Sequence, residues 1–241
     1  INLDQYRKNL INIKNKLSPN TKIMAVVKAN AYGHGLIPIS KEATKAGVDY
    51  LAVAWLLEAI ELREAGIKTP ILLLSEPIKT LAQKVISFNV TQTIYTLDYA
   101  IALNKQAIKL NKKAKVHIKI DTGMTRLGVP YKSGLSFIEK ISNLENIEIE
   151  GIFTHFANAS EPTSSYTTKQ LNRFNSLLQE LEKIKIIIPI KHAANSSGTE
   201  HFPKSHFDLV RIGLASYENV LSLVGYLGHY EFVKKGTPVS Y

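Results

Sequence analysis

The run Ile23-Met24-Ala25-Val26-Val27-Lys28-Ala29-Asn30-Ala31-Tyr32-Gly33-His34-Gly35 decides the fold. It opens as an apolar β-type segment and breaks at a lysine, followed by small residues, a tyrosine and two glycines. A strand that is apolar on both faces belongs in a parallel sheet covered by helices. Lys28 leaves such a strand and points into whatever lies above the sheet. Burial disfavours the charged form of an amine. A desolvated lysine therefore supplies the neutral nucleophile that Schiff-base chemistry with an aldehyde requires. The plainer reading is a strand-end lysine reaching solvent, and the lysine alone does not separate the two.

The pattern repeats outward from this segment. Strands are expected at 23–28, 50–54, 71–74, 91–95, 115–120, 149–154, 190–193 and 208–212. Helical patterns lie between them. A helix over 5–17 is expected to be capped by Asp4, with Leu10, Ile13 and Leu17 on one stripe. Others are expected at Pro38–Ala46, at Leu56–Ala65 with Gly66 as a stop, and at 78–87, 97–111, 133–142 and 167–184. Eight strands with intervening helices fit a (β/α)8 TIM-type barrel of the α/β class, an architecture of ~250 residues. A doubly wound open sheet is the alternative, but no Gly-x-Gly-x-x-Gly follows any strand.

The barrel is expected over 1–217. Residues 218–241 read differently: Val220-Leu221-Ser222-Leu223-Val224 and Val233-Lys234-Lys235-Gly236-Thr237-Pro238-Val239 are β-prone runs with a Lys-Gly-Thr-Pro turn signal. They are expected to begin a C-terminal β-domain that is incomplete here.

Composition narrows the function classes. The chain has 241 residues, a formal charge of +10 and no cysteine. Disulfides and thiolate metal sites are thereby excluded, and no His/Asp/Glu spacing suggests a metal. Only Arg7, Arg63, Arg126, Arg173 and Arg211 are arginines, and the lysines are spread along helical segments without interleaved aromatics. That argues against a nucleic-acid reader. No apolar run approaches the ~20 residues of a membrane span. No secretory signal is visible, so a cytoplasmic location is expected.

Active sites of parallel barrels sit at the carboxyl ends of the strands. Lys28 and Tyr32 follow the first strand, and Lys119, Asp121 and Arg126 follow the fifth. His155 follows the sixth, Asn195 and Ser196 follow the seventh, and Arg211, Gly213 and Leu214 surround the eighth. Each has a plain alternative. His155 can be a satisfied structural histidine, Asp121 a turn former, Arg126 half of a surface ion pair, and Asn195-Ser196 a helix cap. A capped helix start after strand seven, with glycine-containing backbone after strand eight, is also where barrels bind phosphate.

Together these strings resemble the alanine racemases, fold-type III pyridoxal-phosphate enzymes. The lysine motif, Lys119-x-Asp-Thr-Gly-Met-x-Arg126-Leu-Gly, Thr154-His-Phe-Ala, His192-x-Ala-Asn-Ser and Arg211-x-Gly occur in the family's order. The resemblance implies pyridoxal 5'-phosphate held covalently by Lys28, which then acts as one of two catalytic bases. It implies that Tyr32, Ser196 and the backbone at Gly213 and Leu214 hold the phosphate, beside Asn195. Arg126 would meet the phenolic oxygen and the substrate carboxylate, next to Lys119 at the family's carbamylated position. His155 would lie against the pyridine ring, and Arg211, supported by His192, would face its nitrogen. The implied activity is racemisation of L-alanine to D-alanine for peptidoglycan, by a cytoplasmic homodimer. The opposite base would be a tyrosine of the partner's β-domain, and no tyrosine here has a matching context. A non-catalytic pyridoxal-phosphate-binding barrel for cofactor homeostasis is the alternative.

Overall fold

The computed structural model describes residues 1–240. Eight parallel strands form its centre: β1 (Lys22–Val26), β2 (Tyr50–Val53), β3 (Ile71–Leu73), β4 (Thr91–Ile94), β5 (Ala114–Asp121), β6 (Ile147–Phe153), β7 (Ile190–His192) and β8 (Leu209–Ile212). Regular ladders join them in the order β7-β6-β5-β4-β3-β2-β1-β8. The circle closes through separate bonds between β7 and β8, from Asp208 N–H to Lys191 O (3.1 Å) and from Arg211 N–H to Ala194 O (3.0 Å). This is the expected (β/α)8 barrel, and every expected strand is present within one or two residues at most boundaries.

The alternation of strand side chains separates two cores. Ile23, Ala25, Val27, Leu51, Val53, Ile71, Leu73, Val116, Ile118, Ile120, Val210 and Ile212 face outward, where helices bury them. Met24, Val26, Tyr50, Ala52, Leu72, Ile190 and Leu209 form a smaller apolar cluster inside the barrel. The strands are therefore not all apolar on both faces, as the sequence led one to expect for most of them. On β5, His117 and Lys119 alternate with Val116, Ile118 and Ile120, yet His117 is fully buried and Lys119 only 6% exposed.

The first helix spans Leu3–Lys14, and its cap is Asn2, whose side chain accepts from Gln5 N–H (2.9 Å), in place of Asp4. Asp4 instead pairs with Arg7 in the first turn. The helix ends at Lys14, three residues before the expected end, because Lys16 and Leu17 turn back onto Ile13 and Lys14. β8 is followed only by the single turn Leu214–Tyr217. The N-terminal helix packs on that turn and on the helix Leu36–Lys45, and so takes the place of an eighth outer helix. Asn9 fastens it through the carbonyls of Ser216 (3.1 Å) and Glu218 (2.8 Å).

The tail is exposed from Leu221 to Ser240 and forms no strand among the described residues. Its turn is present, with Thr237 N–H donating to Lys234 O (3.0 Å) and Gly236 at φ +94°. A β-prone run needs a neighbouring strand for its N–H and C=O groups, and none lies beside it within 1–240. Residue 241, the last of the expected segment 218–241, lies outside the described residues.

Candidate active site

A cavity of about 340 Å³ opens at the carboxyl ends of the strands. Lys28, Tyr32, Lys119, Arg126, His155, Asn195, Ser196, Arg211, Gly213 and Leu214 all line it. His192 lies beneath, fully buried and stacked on Phe153, with ring centroids 4.6 Å apart. Asp121 is outside the cavity. Its carboxylate accepts from the N–H groups of Gly123 (2.8 Å) and Thr125 (3.1 Å), the turn-forming role of its plainer reading. Among the described residues no carboxylate pairs with Arg126, so the surface ion pair is not formed.

Lys28 continues the inward face of Met24 and Val26 and lies half-buried on the cavity wall. A left-handed turn follows, with φ between +52° and +54° at Ala29, Asn30, Ala31 and Tyr32. This conformation costs an L-residue about 1–2 kcal/mol, so the surroundings must hold it. Asn30 Oδ1 accepts from Leu36 N–H (2.7 Å). Glu58 accepts from the N–H groups of Asn30 (3.2 Å), Ala54 (2.9 Å) and Trp55 (3.0 Å), which ties the turn to the end of β2. The sequence reading missed Glu58 because it sits inside an ordinary helical pattern, with no local sign of a distant turn.

Opposite this turn, Ser196 Oγ accepts from the N–H groups of Gly213 (3.0 Å) and Ala215 (3.4 Å). The Tyr32 hydroxyl closes the same corner, and a Cβ at residue 213 would come within 2.9 Å of it. Asn195 caps the helix Ser196–His201 by accepting from Gly198 N–H (2.9 Å). Its side chain thus fills the cap role, while the residue also lines the cavity.

Arg211 is 3% exposed and surrounded by acceptors. Nη2 reaches Thr154 O (2.8 Å), Ala193 O (2.9 Å) and His155 Nδ1 (3.1 Å), and Nη1 reaches His192 Nδ1 (3.0 Å). Its Nε–H takes no protein acceptor among the described residues. Burial lowers its pKa to about 9, still cationic at neutral pH. A guanidinium only donates, so Nδ1 of both histidines is an unprotonated acceptor. Burial, then the charges of Arg211, Lys119, Arg126 and Lys28, push the His155 pKa down to about 2. Burial, then the cations Arg126, Arg211 and Lys28, lower that of Lys119 to about 8.

Residues 1–219 match the family model described as alanine racemase, N-terminal domain. The chain belongs to the alanine racemase family. It is 42% identical to the alanine racemase of Methanococcus maripaludis strain S2 over all of this chain and 69% of the relative. It is 43% identical to that of Halothermothrix orenii over 90% of this chain and 57% of the relative. The chain spans between 55% and 70% of the length of the curated racemases it matches. Among solved structures, the alanine racemase of Clostridium difficile 630 in complex with cycloserine superposes with a TM-score of 0.88 at 43% identity. That match covers 90% of this chain and 60% of the other. The Bacillus anthracis racemase with bound L-Ala-P gives 0.84 at 36% identity, covering 90% and 56%.

Proposed function

We propose that this chain is the cofactor-bearing barrel of an enzyme that interconverts L-alanine and D-alanine with pyridoxal phosphate. The observation that carries this reading is the charge of the cavity. Lys28, Lys119, Arg126 and Arg211 line it, and no carboxylate does. Such a wall suits a ligand that presents a phosphate, a phenolic oxygen and, beside them, a substrate carboxylate. Two further features fit the cofactor. The Ser196–Gly213–Ala215 corner gathers the Ser196 hydroxyl and the two N–H groups that now donate to it, with Tyr32 against a position where a Cβ would crowd it. The Nε–H of Arg211 is a donor free to meet a ring nitrogen.

When bound, pyridoxal phosphate supplies the electron sink that acidifies the substrate's α-hydrogen. Lys28 holds the cofactor at rest, and its released amine takes or returns the α-proton on one face. Tyr32, Ser196 and the backbone at Gly213 and Leu214 bind the phosphate, with Asn195 shaping that corner. Arg126 orients the substrate carboxylate, and His155 packs against the ring. Arg211 donates and cannot give the ring nitrogen a full proton, which keeps the sink weak and restrains transamination. Lys119 is carbamylated: its neutral amine adds to carbon dioxide and loses a proton. A carbamate carries negative charge and so orients Arg126.

The second base is a tyrosine of the partner subunit's C-terminal β-domain, in a homodimer. Residues 1–217 then form the barrel domain, and 218–241 lead into the β-domain. D-Alanine supplies peptidoglycan synthesis in the cytoplasm. The test is α-proton exchange of each enantiomer in D2O with added pyridoxal phosphate, for the chain and its Lys28→Ala variant. Lysine-dependent exchange of D-alanine with little exchange of L-alanine is expected. Bound cofactor without exchange of either, even with the C-terminal domain supplied, would favour a cofactor-holding barrel instead.

A further inference from the structure

Below the cavity floor a row of buried polar groups crosses the barrel. Arg211 Nη1 meets His192 Nδ1 at 3.0 Å, and His192 Nε2 meets His117 Nδ1 at 2.8 Å. His117 Nε2 then meets Glu150 Oε2 at 3.3 Å. Lys115, at the solvent-open base of the barrel, donates to Glu150 Oε1 (2.8 Å). Both histidines are fully buried. The site reading gives a role to Arg211 and His192 and none to His117 or Glu150.

Two backbone features accompany this row. The pairing of β5 with β6 slips between Val116 and His117, so that Val116 faces Ile149, His117 faces Gly151, and Glu150 is the extra residue. A β-bulge re-aims a side chain, and this one brings Glu150 against His117. The next residue is Gly151, where a Cβ would stand 2.6 Å from the His117 ring. The sheet is thus locally shaped around this histidine and its carboxylate.

The ends of the row fix every proton within it. Arg211 has donors only, and an ionised carboxylate has acceptors only. His192 must accept at Nδ1, so its proton is on Nε2 and is donated to His117. His117 must then accept at Nδ1 and donate from Nε2 to Glu150. A proton on Nδ1 of His192 would face an Arg211 N–H across 3.0 Å. A doubly protonated His192 would place a second cation there. The row therefore has one direction, and Glu150 is the only carboxylate in it.

We propose that His117 and Glu150 are positioning residues of the cofactor site, which act through His192 to hold Arg211 as a fixed donor toward the cavity. This rests on the reading that Arg211 faces the cofactor's ring nitrogen. Its first test needs no cofactor. In the full chain labelled with 15N-histidine, His117 and His192 are expected to show a protonated Nε2 and an unprotonated Nδ1 from pH 5 to 8. A proton on Nδ1 of either, or titration of either in that range, would overturn the proposal. Glu150→Leu is expected to mix the tautomers of both histidines, and Glu150→Gln, which keeps an acceptor oxygen, to restore most of the single form. With pyridoxal phosphate loaded, Glu150→Leu is expected to shift the cofactor absorbance while borohydride still fixes it on Lys28. An unshifted band would overturn the action on the site. A wild-type chain that takes up no cofactor would defeat the functional reading itself, and the histidine signals would still report whether the row exists.

Discussion

The layer between the strands and the helices and the lumen of the barrel are both buried, but they are built from different materials. The outer layer is a continuous packing of aliphatic and aromatic side chains. In the lumen, one arc is apolar, from Met24, Val26, Tyr50, Ala52 and Leu72. The other carries His117, Lys119, Glu150, His192 and Arg211. Apolar burial stabilises by roughly 25 cal/mol for each Å² removed from water, whatever its direction. A buried polar group costs stability unless a partner meets it at the right distance. The outer layer therefore supplies the stability that lets one arc of the lumen hold a charged site.

The largest expected effect tests that division from outside. Phe174 is fully buried on the helix Ser165–Lys183, with its ring 5.5 Å from that of Phe207. Phe174→Ala is expected to cost about 3–5 kcal/mol in urea unfolding. Cofactor affinity of the folded fraction should be unchanged. A parallel loss of affinity would show that the two layers are not separable.

Acid probes the lumen instead. Burial holds the pKa of His117 below its ordinary 6.5 and that of His192 well below it. His192 stays neutral when folded, as does His155 with its pKa of about 2, whereas the unfolded chain takes up both protons as pH drops through 6.5; His117 adds to this only until its own lowered pKa is reached. Stability is thus complete above that value and falls below it, by about 1.4 kcal/mol per pH unit for each histidine that stays neutral when folded. Burial raises the Glu150 pKa, but the bonds from His117 and Lys115 outweigh it and hold the group at about 2. Unfolding then also gains a proton below the ordinary carboxylate range, and the loss steepens. Urea titrations between pH 7 and 5 should show a slope that approaches two protons, one from His155 and one from His192. A slope of one proton or less would mean that the row is hydrated or already charged.

The same contrast explains what the sequence disclosed. Strands such as Ile23–Val27 announce themselves because both faces are apolar, and the strand ends point to the cavity residues by topology alone. β5 was placed by its period, but its facing was not. Lys115, His117 and Lys119 alternating with Val116, Ile118 and Ile120 has the period of a strand with one wet face, and only closure of the barrel turns that face inward. Glu150 was invisible for a further reason: the bulge that aims it is a property of pairing between two strands. Glu58 and the left-handed turn after Lys28 likewise depend on contact between segments distant in sequence. The β-prone tail shows the converse, a local preference left without the neighbour that would realise it.

A pair of glycines gives the finest comparison, because the clash is nearly equal and the layer differs. At Gly134 a Cβ would come 2.7 Å from Leu177 Cδ2, in the outer layer; at Gly151 it would come 2.6 Å from the His117 ring, in the lumen. Leu177 is held by packing alone and can change rotamer, and residue 134 is the first residue of the helix Gly134–Ser142. There alanine regains up to about 1 kcal/mol of helix propensity. Gly134→Ala should therefore change stability by less than about 1 kcal/mol. His117 is fixed at both ring nitrogens and cannot retreat without parting from His192 or Glu150. Gly151→Ala should cost about 1–3 kcal/mol, the range for overpacking a tight core. It should also disturb the histidine 15N signals, which Gly134→Ala should leave alone. Equal costs at the two sites, with both sets of signals intact, would mean that the polar arc yields as readily as the apolar one, and that direction in the row is not enforced by the fold.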